Sequence, residues 1–352
     1  MSEPSQKAKD KFYKELPKVE LHRHLEGSLR VKTMMEIVRS HNLDVKDTGY
    51  LRPLVQVEGD MDYTFENFLA KFGTLRLFYK SPEIIKRITK EAIADAEEDN
   101  VWYMELRFTP VALSQAEAFP ISEVIDWVIE GVHEMEGETD VQVRLIVSVN
   151  RHEQVSVAEE VIQRAVDRQQ DGIVGIDLAG NEAEYAAGPF QKMFAEAQRE
   201  GMKITIHAGE WGGPENVREA VQVFGADRVG HGIRVLEDPN VVRLAEERKI
   251  PFEVCVTSNH HSGVIEDIKD HPLSEMIIEG LNVTINTDDP SISRITLGHE
   301  YRTVMETLGL PVWVLRERVL AAVRASFLPP RRRQQLAYQL SEAFSNVMMN
   351  YE

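Results

Sequence analysis

The run VELHRHL (19–25) is short and strand-like, and it carries two histidines separated by a single residue. Seven more strand-like runs follow it: VWYMELRFT (101–109), VQVRLIVSV (141–149), GIVGIDLA (172–179), KITIHAG (203–209), RVGHGI (228–233), PFEVCVTS (251–258) and LNVTINTD (281–288). Between the runs lie segments with helical periodicity, among them Ile84–Glu98, Ile121–Met135, Val155–Gln169, Pro214–Phe224 and Pro239–Arg248. Eight strands that are each followed by helix predict the α/β class and a closed (β/α)8 barrel, or TIM barrel.

An open doubly wound sheet is the alternative architecture for such alternation. Sheets of that kind usually carry a Gly-rich phosphate loop after the first strand, and Gly27 is the only glycine at that place. The barrel is therefore favoured. Because the chain contains no internal repeat, low-complexity stretch or Ser/Gly linker, we expect residues 1–352 to form one domain.

The spacing of the runs is uneven. About 75 residues separate the first from the second, whereas later units take about 25–35 residues. The long interval predicts a helical insert after strand one, with large apolar residues on one face: Phe65, Phe68, Phe72, Leu75 and Phe78. That face either packs on the barrel or forms an apolar lid over its mouth. Past the eighth run, Val312–Phe327 and Arg331–Met348 predict extra C-terminal helices.

Composition and charge exclude several classes of function. A net charge of −18 repels the phosphate backbone, so we expect no binding to nucleic acid. No apolar run approaches the ~18 residues of a membrane span, and we expect no membrane partner. The polar N-terminal stretch 1–18 lacks the apolar core of a signal peptide, and the single cysteine, Cys255, cannot form an internal disulfide. These features predict a cytoplasmic protein.

Metal-ligating residue types lie at the ends of several strands. His22 and His24 are two residues apart on a strand, so both side chains point to the same side. Strand five ends in His207, and strand eight ends in Asp288. The carboxyl ends of barrel strands share one face, where the βα loops collect catalytic groups. Imidazoles and a carboxylate suit Zn²⁺ with one position left open for water, and the bound ion would lower the pKa of that water towards neutrality.

Three further residues predict acid and base chemistry beside these ligands. Glu210 lies three residues past His207 and could protonate a ring nitrogen. Asp289 adjoins Asp288 and could orient the attacking water, and His231, on strand six, could position or deprotonate it. Residue types and spacing thus predict a metal-assisted hydrolase, without indicating its substrate.

The sequence resembles the adenosine deaminase family of the amidohydrolase superfamily. The resemblance covers nearly the whole chain and rests on runs at the strand ends: LPKVELHRHLEGSLR (16–30), GIDLAGNE (175–182), ITIHAGE (204–210), VGHGIR (229–234), CVTSN (255–259) and INTDDPSIS (285–293). It implies hydrolytic deamination of adenosine and 2′-deoxyadenosine in purine salvage, with a purine nucleoside as the small-molecule partner. It also implies that ENFLAKF (66–72) is the family's lid helix.

The same resemblance assigns roles to individual residues. It implies zinc ligation by His22, His24, His207 and Asp288, and catalysis by Glu210, His231 and Asp289. In the family's pattern, Glu210 protonates purine N1, Asp289 contacts the water and N7, and the backbone N–H of Gly180 reads N3. His24 and Glu26 complete the expected substrate contacts. Relatives with two metals carry a bridging ligand, such as lysine, at the end of strand four. Residues 177–180 read DLAG, so we expect one Zn²⁺ per chain.

Two positions depart from the family's usual pattern and keep other substrates open. Glu26 and Asn181 stand where adenosine deaminases often carry aspartate. The run EGSL (26–29) resembles adenine deaminases, which act on the free base, and deaminases of modified adenine nucleosides such as aminodeoxyfutalosine are a further alternative. A carboxylate at Glu26 could accept a hydrogen bond from a ribose hydroxyl, so we expect adenosine to be preferred over adenine and AMP to be poor.

Two other classes of protein fit the sequence less well than a nucleoside deaminase does. An inactive purine-binding barrel would be expected to have lost a ligand or the acid, yet all seven metal-binding and catalytic residues are present. An amide or phosphotriester hydrolase on the same scaffold would have no use for purine contacts from Glu210 and Gly180. The sequence gives no indication of the oligomeric state.

Overall fold

The computed structural model describes residues 6–59 and 61–351. It therefore leaves out the first five residues of the polar N-terminal stretch and both ends of the expected domain 1–352. The strands are β1 (Lys18–His24), β2 (Val101–Phe108), β3 (Gln142–Asn150), β4 (Ile173–Ala179), β5 (Lys203–Ala208), β6 (Arg228–His231), β7 (Pro251–Val254) and β8 (Asn282–Ile285). All eight predicted strands are thus confirmed.

Helices surround these strands. They are α1 (Gln6–Glu15), α2 (Val31–His41), α3 (Thr48–Val55), α4 (Phe65–Leu75), α5 (Pro82–Glu98), α6 (Pro110–Ser114), α7 (Ile121–Met135), α8 (Val155–Val166), α9 (Gln191–Arg199), α10 (Pro214–Gln222), α11 (Pro239–Arg248), α12 (Val256–His261), α13 (Leu273–Ile278), α14 (Pro290–Ser293), α15 (Leu297–Arg302), α16 (Val312–Ala325) and α17 (Pro330–Tyr351). Proline occupies the first position of α5, α10 and α11, where its missing N–H costs no hydrogen bond. Within the described residues, no helix combines the length and the hydropathy that a membrane span needs.

The strands form one parallel sheet in the order β1 to β8, and each strand is hydrogen-bonded to the next. The sheet closes through a parallel bridge between Arg23 and Asp288. There His24 N–H donates to the carbonyl of Asp288 over 2.8 Å, and Asp288 N–H donates to the carbonyl of His22 over 2.8 Å. The predicted (β/α)8 barrel is confirmed, and its closing contact joins the predicted ligands of the first and last strands.

The helical insert and the C-terminal helices are both present. Helices α2, α3 and α4 occupy the long interval after β1, and α5 leads into β2. Helix α16 packs against β8 and β1, so it completes the outer ring of the barrel, and α17 packs on α16 as the additional helix. Strands seven and eight are shorter than predicted. Helix α12 begins at Val256, inside the run expected to be strand, and Asp288 has φ +64°, which extended backbone does not allow.

Candidate active site

Four of the predicted metal ligands meet at the carboxyl ends of β1, β5 and β8. His22, His24, His207 and Asp288 each offer one donor atom, and these four atoms all lie within 4.8 Å of one another. The Oδ1 atom of Asp288 is 3.2 Å from His22 Nε2 and 3.3 Å from His24 Nε2, and the Nε2 atoms of His24 and His207 are 3.3 Å apart. Three imidazoles and one carboxylate in this arrangement fit a catalytic zinc site.

The proton positions on two histidines leave their donor atoms free for a metal ion. His22 donates its Nδ1 proton to Glu253 over 2.7 Å, and His207 donates its Nδ1 proton to Asp177 over 3.0 Å. Both Nε2 lone pairs therefore face the cluster. The buried His22 Nε2 has no hydrogen-bond partner among the described residues, which is the state expected of a ligand atom.

Electrostatics favour the coordinating form of two ligands. Burial lowers the pKa of His207 to about 4, so its imidazole is neutral at neutral pH. Burial raises the pKa of Asp288, but contacts with His22 and His24 outweigh burial and hold that pKa well below its usual value. The carboxylate is thus anionic, and Ser258 Oγ donates to its Oδ2 over 2.6 Å, which leaves Oδ1 for the metal.

Glu210 lies beside the ligand cluster, almost fully buried. Burial, followed by the charges of Asp288 and Glu182, raises the pKa of Glu210 well above its usual value. Its loop is held by Glu182, whose carboxylate accepts from the backbone N–H groups of Gly209 (2.9 Å), Glu210 (2.6 Å) and Trp211 (2.9 Å). The structure therefore holds in a fixed position a carboxyl group whose surroundings favour its protonated form, which is what a general acid requires.

A chain of hydrogen bonds sets the tautomer of His231. Leu273 N–H donates to His271 Nδ1 over 3.1 Å, so the buried His271, whose pKa burial lowers to about 3, carries its single proton on Nε2. That proton is donated to Asn259 Oδ1 over 3.2 Å. The amide Nδ2 of Asn259 then donates to His231 Nδ1 (3.1 Å) and to Glu210 Oε1 (3.2 Å).

These hydrogen bonds determine which ring nitrogen of His231 carries the proton. Burial lowers the pKa of His231 well below its usual value, so the ring is neutral. Because Nδ1 accepts a hydrogen bond, the proton of His231 is on Nε2, which lies 3.6 Å from Glu210 Oε2. His231 thus offers a hydrogen-bond donor to the site. The left-handed backbone of His231, φ +57°, turns the chain out of β6 at this position.

Two other predicted residues present buried oxygens without a partner among the described residues. These are Oδ1 of Asp289 and Oε2 of Glu26, whose other oxygen, Oε1, accepts from Thr109 N–H over 2.5 Å. Burial raises the pKa of Asp289 and that of Glu26. Gly27 makes room for Asp289, because a Cβ at position 27 would lie 1.8 Å from Asp289 Oδ1. Unpaired buried oxygens of this kind are costly unless a ligand or water satisfies them.

Most of the predicted site residues line one cavity of about 660 Å³, namely His24, Glu26, His207, Glu210, His231, Asp288 and Asp289, whereas His22 is fully buried and does not line it. Gly180, with φ +92°, lines it beside His24, Glu26 and Glu210. Helix α4 contributes part of the lining of this cavity, which the lid interpretation requires. Phe65 and Phe72 line the cavity while only half-buried, and the ring centroids of Phe65 and Trp211 are 4.0 Å apart. Phe68 also lines it but is buried in the core, as are Leu75 and Phe78.

Sequence reasoning missed the charged layer beneath the ligands. Glu253 accepts from His22 Nδ1 and from Arg107 Nη2, each over 2.7 Å, and from Arg228 Nε over 2.5 Å. Arg107 Nη1 lies 3.5 Å from Asp177 Oδ2. Arg107 therefore contacts both carboxylates that accept from the metal-binding histidines, Glu253 and Asp177. All four side chains are fully buried. The signal was present as charged residues within strand-like runs, which inside a barrel point towards its axis.

The barrel, with histidine and carboxylate donors at its strand ends and an acid beside them, defines the class of metal-dependent (β/α)8-barrel hydrolases. Within that class the chain belongs to the adenosine deaminase family, because the family model described as "Adenosine deaminase" matches residues 17–343. The adenosine deaminase of Clostridium botulinum (strain Langeland) is 35% identical over 332 residues, which is 94% of this chain and 98% of the relative.

Three solved structures share the fold. An adenine deaminase from Arthrobacter aurescens has a TM-score of 0.86 at 24% identity, over 93% of this chain and 98% of the other. An amidohydrolase from Burkholderia ambifaria with bound Zn has a TM-score of 0.88 at 22% identity, over 99% of this chain and 96% of the other. An N6-mAMP deaminase from Arabidopsis has a TM-score of 0.84 at 26% identity, over 94% and 99%.

Proposed function

We propose that this chain is a zinc-dependent aminohydrolase that converts adenosine and 2′-deoxyadenosine, with water, to inosine or 2′-deoxyinosine and ammonia, acting as a single domain. The observation that carries the proposal is the placement of the buried Glu210, whose pKa burial raises, beside four convergent metal donors at the catalytic cavity. Membership of the adenosine deaminase family supports the substrate, as does the 35% identical relative named adenosine deaminase.

His22, His24, His207 and Asp288 would hold one Zn²⁺ per chain. When bound, the ion lowers the pKa of a bound water, so that the attacking oxygen is nucleophilic at neutral pH. The donor set suits the ion, since a structural neighbour is named with bound Zn and the two Nδ1–H groups of His22 and His207 are already engaged.

Glu210, His231 and Asp289 would transfer protons and position the purine and the attacking water. Glu210 donates its proton to purine N1, which makes C6 more electrophilic. His231 donates a hydrogen bond from Nε2 to the oxygen that attacks C6, and Asp289 holds this oxygen and N7. As the C6–O bond forms and the C6–N6 bond breaks, one proton of the water leaves with ammonia and the other returns to Glu210.

The substrate is held by contacts around the purine and its sugar. The backbone N–H of Gly180 would meet N3, and Glu26 Oε2 would accept from a ribose hydroxyl. This oxygen lacks a partner in the described structure, so a nucleoside satisfies it and free adenine does not. Lid residues such as Phe65 would cover the bound purine and exclude bulk water.

The test is to follow ultraviolet absorbance as zinc-loaded protein is mixed with adenosine, 2′-deoxyadenosine, adenine or AMP. We expect the two nucleosides to have the highest kcat/KM. A higher kcat/KM for adenine than for adenosine would contradict the proposal and favour an adenine deaminase.

One observation favours a second candidate, deamination of an adenine nucleotide. Arg76 lines the catalytic cavity, its buried Nε has no hydrogen-bond partner, and Arg76 takes part in no ion pair within residues 6–59 and 61–351. A guanidinium in that state suits a phosphate, and the Arabidopsis neighbour is named for a nucleotide. If AMP exceeds adenosine in kcat/KM, and Arg76→Met abolishes only the AMP reaction, this second candidate replaces the first.

A further inference from the structure

A second cavity, of about 620 Å³, is lined by Arg23, the β1 residue between the predicted ligands His22 and His24. Its walls come from α1, α5 and the segment 290–302 that follows β8. Within the described residues, no side chain lines both cavities. The second cavity is therefore a separate space, and its residues take no part in the chemistry proposed above.

The carboxylates that line this cavity are all engaged by cations. Asp95 pairs with Arg30 (2.6 Å) and Glu98 with Lys14 (3.1 Å). The other two pairs are Asp10–Arg302 (3.0 Å) and Asp99–Lys18 (3.8 Å). The negative charge of the lining is thus neutralised from within the protein.

Two arginines in the lining remain without such a partner. Neither Arg23 nor Arg294 forms an ion pair within the described ranges 6–59 and 61–351. Arg23 is only 6% exposed, and its one side-chain hydrogen bond there is from Nε to Ser28 Oγ, over 3.1 Å. Its two terminal Nη groups have no hydrogen-bond acceptor among the described residues, although the charges of Glu20, Asp95 and Asp99 act on Arg23 at longer range. Arg294 is exposed and lies on the segment that follows β8.

We propose that this cavity is a binding site for a small organic phosphate, held by Arg23 from the floor and by Arg294 from the rim. A guanidinium binds phosphate through paired, charge-assisted hydrogen bonds, and a phosphate would give the terminal nitrogens of Arg23 the acceptors that the described residues do not provide. The volume is in the range of pockets that hold small molecules and exceeds what inorganic phosphate alone would fill. A phosphorylated sugar matches both the charge and the space.

The position of Arg23 connects this cavity to the metal-ligand strand. Arg23 lies between His22 and His24 in sequence, and Ser28 Oγ, which accepts from Arg23 Nε, donates to the carbonyl of His24 over 2.7 Å. A phosphate bound at Arg23 would thus be connected to the backbone carbonyl of His24 through these two hydrogen bonds. The inference itself concerns binding and does not depend on which substrate is deaminated.

The experiment is calorimetric titration of zinc-loaded protein with ribose 5-phosphate, with inorganic phosphate and ribose as separate probes. We expect saturable binding of about one ribose 5-phosphate per chain, weaker binding of inorganic phosphate and none of ribose. Arg294→Gln should weaken binding by about 10-fold or more, the value of one charge-assisted contact. Arg332→Gln, which removes an exposed arginine on α17, is the matched control and should leave binding unchanged.

Three results would overturn the proposal. The first is no saturable binding of either phosphate. The second is equal weakening by Arg294→Gln and Arg332→Gln, which would reduce the effect to general charge. The third is loss of binding when zinc is removed or inosine is added, which would place the phosphate in the catalytic cavity. Arg23→Met should abolish binding of ribose 5-phosphate. If this variant does not fold because Arg23 is buried, Arg294→Gln still tests the proposal, because Arg294 is exposed and its replacement should not affect folding.

Discussion

Glu26→Ala tests whether the site is built around a nucleoside. The side chain is 4% exposed, Oε1 accepts from Thr109 N–H, and Oε2 has no partner among the described residues. If Oε2 accepts from a ribose hydroxyl, its removal costs one hydrogen bond to a charged or strongly polar group, about 1.5–3 kcal/mol. That is roughly a 10- to 150-fold fall in kcat/KM for adenosine. Adenine, which has no hydroxyl to offer, should change little.

The alanine variant also leaves Thr109 N–H unsatisfied, which costs about 1–3 kcal/mol of folding stability. Glu26→Gln is the matched control, because its amide oxygen can still accept the hydrogen bond from Thr109 N–H. Its amide nitrogen would still present a polar group to the sugar. We expect the Gln variant to unfold near the wild-type temperature and to fall between wild type and Ala in adenosine turnover.

The assay is the initial loss of ultraviolet absorbance on adenosine and on adenine, with metal content measured on each preparation. The reasoning is refuted if Glu26→Ala lowers kcat/KM for both compounds by the same factor, since the residue would then act only on the architecture of the site. It is equally refuted if adenosine turnover is unchanged.

Four further predictions follow from the site. Glu210→Gln should keep its zinc and bind purine while losing at least ~100-fold in kcat, and a variant within a few-fold of wild type would remove Glu210 from the mechanism. Asn259→Leu should lower kcat by about 10-fold or more with its zinc retained, because His231 loses the donor that fixes its tautomer, and an unchanged kcat would show that the relay is only structural. Phe65→Ala should raise KM with little loss of stability, whereas Phe68→Ala, in the buried core, should cost about 3–5 kcal/mol in unfolding free energy. The reverse pattern would indicate that α4 only packs on the barrel. His207→Ala should lose metal and activity together, as measured by elemental analysis and turnover, and activity without metal would contradict the ligand assignment.

The barrel and the ligand positions could be predicted because both leave local signals. Alternation of strand and helix indicates the barrel, and the barrel's geometry brings His22, His207 and Asp288 together although they are far apart in sequence. The i, i+2 spacing of His22 and His24 is enough to place both on the inward side of β1.

The supporting network could not be predicted in the same way. Charged residues such as Arg107 and Glu253 alternate with apolar ones in their strands, and this pattern is also typical of a strand with one face in water. Asn259 lies on α12, which begins inside the run 251–258 that was predicted as strand, so its contact with His231 could not be inferred. The cavity at Arg23 arises where α1 and α5 meet the segment after β8, and such tertiary contacts carry no periodic signal.

Deamination of adenosine should depend on zinc held by the four donors, and this is measured by the rate of adenosine deamination as zinc is added back stepwise to metal-depleted protein. We expect the rate to rise with zinc and to reach its plateau at about one ion per chain. A metal-depleted protein that deaminates adenosine at full rate, or a zinc-loaded protein that leaves adenosine unchanged, would contradict this expectation.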